Sequence, residues 1–189
     1  MDAQGTTLTR SQAARRERVI RAALELGATG GYDAVQMREV ATEAGVALGT
    51  IYRYFTSKDH LLAAAMVEWT QDLERRVGQR PPKGDTITDR VGDVLRRATR
   101  AMEREPKLSA AVVTALLSPD RGAADCQEEV SATMTRIMSL ALGDDFDPAF
   151  KSQATRTLGH VWFSALIGWV NGWSGMEKVA DDHFVACHH

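Results

Sequence analysis

The sequence predicts an all-α fold, and three observations carry that prediction. Apolar residues recur at helical spacing along nearly the whole chain. No run alternates apolar and polar residues as a half-buried strand would. Glycine and proline clusters fall between the helical runs rather than inside them. With 189 residues, 44% hydrophobic and 25% charged, the chain can bury a core of ordinary size and is too apolar to be disordered. It contains no internal repeat or low-complexity tract.

Taken in order, Ser11 is the expected cap of a first helix that turns Ile20, Ala23, Leu24 and Gly27 inward and ends at Gly30 and Gly31. Met37, Val40, Ala41 and Ala44 repeat as i, i+3, i+4, i+7 in a short second helix stopped by Gly45. A third helix is expected from Ala47 or Leu48 to about Phe55. Ser57 then caps a fourth, with Leu62, Ala65, Met66, Trp69 and Leu73 on one face. Pro81, Pro82 and Gly84 make the clearest break. Val91, Val94, Leu95, Ala98 and Met102 define a fifth helix, and Pro106 opens a sixth carrying Leu108, Val112, Ala115 and Leu116. After a turn at residues 119–122, Val130, Met134, Ile137, Met138 and Ala141 mark a seventh. A long eighth helix runs from about Pro148 to Gly172, and a short last piece starts near Glu177.

Charge and cysteine content narrow the function classes. The 23 basic and 25 acidic residues nearly balance, but residues 10–21 hold five arginines against one acid, Glu17. Such an arm suits phosphate contact and equally suits a solvated helix face. Cys126 and Cys187 are too few for a disulfide framework and fit a reducing cytoplasm. Residues 161–173, the most apolar stretch, are shorter than the roughly 20 residues a bilayer span needs and include Asn171. A soluble, cytoplasmic protein without a membrane partner is expected.

Residues 36–58, QMREVATEAGVALGTIYRYFTSK, carry the functional signal. Two short helices separated by Ala44, Gly45 and Val46 form a helix-turn-helix. Gly45 sits where the chain needs a positive φ, which a residue without Cβ adopts freely. Val46 plugs the angle between the helices, while Val40 and Ala41 face Ile51 and Phe55. The second helix then offers Leu48, Gly49, Thr50, Tyr52, Arg53 and Tyr54 outward.

An α-helix fits the DNA major groove, and Gly49 lets the backbone approach its floor. Thr50 suits a thymine methyl or a phosphate, and tyrosine hydroxyls reach phosphates without adding charge. Lys58, beside the Ser57 cap, pairs a cation with free backbone N–H groups. Arg38 is the expected reader of guanine O6 and N7, worth about 1–3 kcal/mol of discrimination. The plain alternatives are that Tyr52 and Tyr54 rim a core and that Arg53 is a phosphate or surface residue.

The stretch G-V-A-L-G-T-I-Y-R-Y-F-T-S-K-D-H-L-L, preceded by Y-D-A-V-Q-M-R-E-V-A, resembles the DNA-binding region of the TetR family of transcriptional repressors over about residues 11–65. That resemblance places Arg38, Thr50, Tyr52 and Lys58 at DNA-contacting positions, with Gly49, Arg53 and Tyr54 on the same surface. It divides the chain into a DNA-binding domain, residues 1–56, and a helical ligand-binding and dimerisation domain, residues 57–189. The runs G-G-Y-D-A-V-Q-M-R, L-G-T-I-Y-R-Y-F and R-A-M-E-R-E-P-K-L-S-A-A-V are also similar to the actinobacterial repressors of cholesterol catabolism. This narrower likeness implies an effector such as a steroid or an acyl-CoA thioester.

The second domain is rich in large, deformable apolar side chains, which line cavities as readily as they fill cores. The expected pocket comprises Trp69, Leu95, Met102, Val112, Leu116, Met134, Met138 and Trp162, with Lys107 and Arg121 at its mouth if the ligand carries a CoA head. His160 reads as a hydrogen-bonded core histidine or a ligand contact. On the eighth helix, Leu158, Gly159, Ala165, Leu166, Gly168, Trp169 and Gly172 mix small and large residues as a homodimer interface requires. Two copies about 34–36 Å apart would match a palindromic double-stranded operator.

Enzyme signatures are missing from the sequence. Met176 interrupts the only approach to a G-x-S-x-G, and neither a phosphate loop nor H-E-x-x-H occurs. His183, Cys187 and His188 have a loose metal-ligand spacing better read as a chain end. No catalytic residue, metal or cofactor is expected. The competing class is an effector-independent all-α DNA-binding or interaction protein.

Overall fold

The structure, a computed structural model, describes residues 9–143, 146–173 and 175. Among these it has eight α-helices and no strand: α1 (Arg10–Gly30), α2 (Met37–Ala44), α3 (Leu48–Tyr52), α4 (Lys58–Gln79), α5 (Ile87–Glu103), α6 (Pro106–Leu116), α7 (Arg121–Leu142) and α8 (Pro148–Val170). A single 3₁₀ turn, Tyr32–Ala34, lies between α1 and α2. The piece expected from Glu177 falls outside the described residues.

Helix starts follow the side chains able to satisfy free backbone N–H groups. α1 is capped by Thr9, not by Ser11. The Thr9 hydroxyl accepts from Gln12 N at 3.3 Å, and Gln12 Oε1 accepts from Thr9 N at 2.7 Å. This reciprocal box satisfies two donors, whereas a cap at Ser11 would face Ala14, which can return nothing. Thr86 and Asp89 make the same box at the start of α5. Ser57 caps α4, as expected, through His60 N. The expected turn at residues 119–122 is shorter than predicted, because Asp120 accepts from Ala123 N and already draws Arg121 and Gly122 into α7.

α3 also ends earlier than its apolar pattern suggests, at Tyr52 rather than near Phe55. Ser57 must be extended to cap α4 (φ −153°, ψ 172°), so the chain leaves the helix within the intervening residues. One looser turn survives through the Phe55 N to Ile51 O hydrogen bond.

α4 is the spine. Residues 61–67 are all buried, the first four of them essentially completely. The helix α4 packs against α1, α6 and α7. Three consecutive alanines, Ala63, Ala64 and Ala65, let those helices approach closely. Farther along α4 the apolar stripe narrows to Leu73 and Val77, and the remaining faces open outward.

Candidate nucleic-acid interface and sensor cavities

The turn of the helix-turn-helix is closed by backbone geometry. Gly45 is left-handed (φ 63°, ψ 41°), its N–H bonds Thr42 O at 3.2 Å, and Val46 N bonds Ala41 O at 3.0 Å. That pair of hydrogen bonds is the helix-ending motif that favours glycine. Val40, Ala41, Ile51 and Phe55 are buried against one another as the pattern predicts, with Val46 packed half-buried beside them.

Of the residues read as DNA-facing, Arg38, Gly49, Tyr52 and Arg53 are exposed, and Thr50 is half-buried. A Cβ built on Gly49 meets nothing within 4 Å, so this stretch of α3 is an open platform. Leu48 and Tyr54 differ from expectation: both pack half-buried on the core and support the platform more than they extend it.

Lys58 is held inward. Its ammonium lies 3.7 Å from the centroid of the Tyr32 ring and 3.4 Å from Tyr32 O. The Tyr32 hydroxyl in turn donates to Asp59 Oδ1 at 2.5 Å, and Ser118 Oγ donates to Asp59 Oδ2 at 2.7 Å. One carboxylate thus joins the Lys58 anchor to the turn between α6 and α7. Burial first, then the bond to Asp59, pushes the Tyr32 hydroxyl up to about 12. The sequence reading missed this joint entirely.

A second connection lies beside it. Thr56 Oγ1 donates to Asp120 at 3.2 Å, and Thr56 N donates to His60 Nδ1. The His60 ring stands edge-on to Phe55, 5.4 Å between centroids, and burial lowers its pKa. Arg16, part of the basic arm, pairs with Glu68 at 2.7 Å and lies over the Phe55 ring. This arginine therefore braces α1 on α4, while Arg10 and Arg18 stay exposed.

Residues 19–65 match the model for bacterial regulatory proteins of the tetR family, and residues 84–188 match a tetracyclin repressor-like C-terminal domain. The chain belongs to the TetR family. It is 38% identical over 171 residues to the HTH-type transcriptional repressor KstR of Rhodococcus jostii, covering 90% of this chain and 80% of that protein. A TetR transcriptional regulator from Rhodococcus sp. RHA1 has the same fold at TM-score 0.83 and 33% identity, covering 94% of this chain and 96% of the other. Thermus thermophilus FadR, crystallised with lauroyl-CoA, shares the fold at TM-score 0.69 and 22% identity, covering 89% and 90%.

As a TetR-family transcriptional repressor the chain pairs its DNA-binding head with a helical second domain, and here the expected pocket divides in two. Leu116, Met134, Met138 and Trp162 line a cavity of about 90 Å³ between α6, α7 and α8. Trp69, Met102 and Val112 line another, open to the surface, of about 290 Å³ among α1, α4, α5 and α6. Leu95 lines neither; it is wholly buried between α5 and its neighbours. His160 is exposed at the rim of the smaller cavity and so is not a core histidine. Lys107 reaches away from both cavities, donating to Thr29 O at 3.0 Å, and Arg121 is exposed at the start of α7.

The α8 residues read as a dimer stripe differ in burial. Leu158, Leu166 and Gly168 are buried within the chain's own bundle, and cannot also present area to a partner. Gly159, Ala165 and Trp169 are half-buried and Gly172 is exposed, next to half-buried Val161, Phe163 and Ile167. A helix apolar nearly all round gives no phase from which to choose its outer face.

Among the described residues no cluster of three metal-ligating side chains occurs; His183, Cys187 and His188 lie outside them. No helix among them is long and apolar enough to cross a membrane. Burial pushes the Cys126 thiol up to about 11, which leaves it protonated and unreactive at neutral pH.

Proposed function

We propose that this repressor binds a palindromic operator as a homodimer and releases it when an apolar effector, such as a steroid or an acyl-CoA thioester, enters the second domain. Arg38 reads a base edge; Gly49 and Thr50 approach the groove; Tyr52, Arg53 and Lys58 contact backbone phosphates; Leu48 and Tyr54 hold the platform. The effector cavity is the one beside Trp69, Met102 and Val112, since about 290 Å³ approaches the volume of small-molecule sites and about 90 Å³ does not. Gly159, Ala165, Trp169 and Gly172 sit in the dimer face.

The observation that carries this reading is the Asp59 carboxylate, shared by Tyr32 beneath the phosphate anchor and Ser118 at the α6–α7 turn. Displacing α6 moves Ser118, and with it the support of Lys58 and the separation of the two recognition helices. A coupling of about 1–3 kcal/mol would change operator affinity 5- to 150-fold.

Fluorescence anisotropy with a labelled fragment from upstream of the chain's own gene tests it. Saturable binding of two chains per site, relieved by a steroid or acyl-CoA thioester, is expected. Ser118→Ala should keep both ligand and operator binding while shrinking the relief of one by the other. Binding that no effector relieves would favour the effector-independent class, and a monomer with no preference for that fragment would end the repressor mechanism proposed.

A further inference from the structure

Lys58 is the first residue of α4, the end at which a helix dipole disfavours a cation. The chain holds that cation on a seat supplied by a single residue of another element. The face of the Tyr32 ring lies 3.7 Å from the ammonium, and Tyr32 O accepts from it at 3.4 Å. Both surfaces of the seat are anchored. Gly31 takes φ 72°, a value that favours glycine, and leads into the 3₁₀ turn that Tyr32 O closes by accepting from Val35 N at 3.3 Å. Val35 is wholly buried, and the far edge of the ring is tied through its hydroxyl to Asp59.

The same bonds leave the charge of Lys58 unspent. Asp59, the acid next to it in the chain, has both oxygens occupied, one by Tyr32 and the other by Ser118. Among the described residues Lys58 has no salt-bridge partner. An ammonium carries three N–H donors; the carbonyl takes one and the ring face covers part of the rest, leaving capacity for one more acceptor. A freely moving lysine loses rotamer entropy when a phosphate fixes it, whereas a seated one has lost it already on folding.

We infer that Tyr32 is the positioning residue of the DNA-backbone contact: its ring and main-chain carbonyl hold the Lys58 ammonium, unpaired, where an operator phosphate completes its hydrogen bonds. This rests on the reading of Lys58 as a phosphate contact. The lysine stays on the ring when DNA binds, so the contact is made without rearrangement.

Anisotropy titrations of the effector-free chain with the operator fragment, between about 50 and 200 mM salt, test the seat. Lys58→Gln should flatten the plot of log affinity against log salt by about one for each protomer bound. Tyr32→Leu, with Lys58 still present, should lose at least about half as much, and the double variant no more than Lys58→Gln alone. Tyr32→Phe keeps the ring face and the carbonyl and should restore most of the slope. Carbon–proton NMR of the wild-type chain follows the seat directly. The Lys58 Cε resonance, assigned by its absence from Lys58→Gln, should be shifted upfield by the ring and remain so on operator binding. Should Tyr32→Leu fail to fold, the phenylalanine variant and this resonance decide. A full slope in Tyr32→Leu, additive losses in the double variant, a phenylalanine no better than leucine, or a resonance that returns to its ordinary position on DNA would each overturn the inference. An unchanged slope in Lys58→Gln is a distinct failure: it removes the phosphate role of Lys58, and the inference with it.

Discussion

The two ends of α4 are built for opposite work. Its first turns, residues 61–67, are buried; Asp59 is bonded to the 3₁₀ turn and to Ser118, Thr56 to Asp120 at the cap of α7, and His60 to Thr56. Its last turns keep only Leu73 and Val77 buried and hold arginines over an open cleft. A closely packed joint transmits displacement because it has few ways to absorb it, whereas a loosely packed end can accept a ligand and reorganise around it. On this view α4 is closely packed at one end and open at the other.

Breaking the rigid end should have the largest effect. Phe55 is 1% exposed and meets the rings of Tyr54 and His60 and the Arg16 guanidinium. Phe55→Ala should cost about 3–5 kcal/mol in urea unfolding. A comparable truncation at the open end, Leu73→Ala at 7% exposure, should fall toward about 2 kcal/mol, the lower end for such changes. Equal losses at both sites would contradict the difference between the ends.

Gly122 tests the same joint by adding matter rather than removing it. A Cβ there would lie 2.4 Å from His60 Nδ1 and 2.6 Å from its Cγ. The ring is flanked by Phe55 and hydrogen-bonded to Thr56 N, so it has little room to yield. Gly122→Ala should lower stability by about 1–3 kcal/mol. It should also weaken operator binding, although residue 122 lies far along the chain from the recognition helix. Thermal melts together with anisotropy separate the two effects.

How much of this was legible before the structure depends on how far apart the interacting residues are in the chain. The helix-turn-helix was readable because Gly45, Val46 and their partners fall within a few residues, and local backbone sterics decide the rest. Helix ends were readable where one side chain dominates, as at Ser57 and Pro106, and misread where a reciprocal pair such as Thr9 and Gln12 outcompetes a nearer serine. The joint was not readable at all: Tyr32 to Asp59 spans 27 residues, Asp59 to Ser118 spans 59, and Thr56 to Asp120 spans 64. Charged residues at helical spacing look alike whether they face water or one another across a cleft, which hid the arginines of α4 and α5.

The recognition surface sharpens the comparison from outside. Nothing lies within 4 Å of a Cβ on Gly49, and Arg38 is exposed. Gly49→Ala should leave stability within about 1 kcal/mol, with helix propensity favouring the variant. Arg38→Ala should stay within about 0.5 kcal/mol. Each should lose about 1–3 kcal/mol of operator affinity, Arg38→Ala with relaxed preference at one base position. If either variant unfolded the head instead, the platform would be part of the joint and the division of labour would fail.

The smallest effect concerns pH, and two groups of the joint contribute to it from opposite sides. His60 has its pKa lowered, chiefly by burial, with Asp120 and Asp125 opposing and Arg16 reinforcing the shift. The unfolded chain then binds the proton more readily than the folded one. The contribution of His60 is present above its ordinary value near 6.5 and is lost as pH falls through that value toward the lowered folded one. Tyr32 works in the other direction. Its hydroxyl is raised from 10.0 to about 12, so its contribution is complete below pH 10 and lost as pH climbs toward 12. The joint should be tightest between these limits. Melting temperature measured across pH should sag on both sides, with His60→Gln flattening the acid side and Tyr32→Phe the alkaline side. Arg80 and Arg100 lie away from both groups, at the other end of α4, so Arg80→Ala/Arg100→Ala should leave these two shoulders in place.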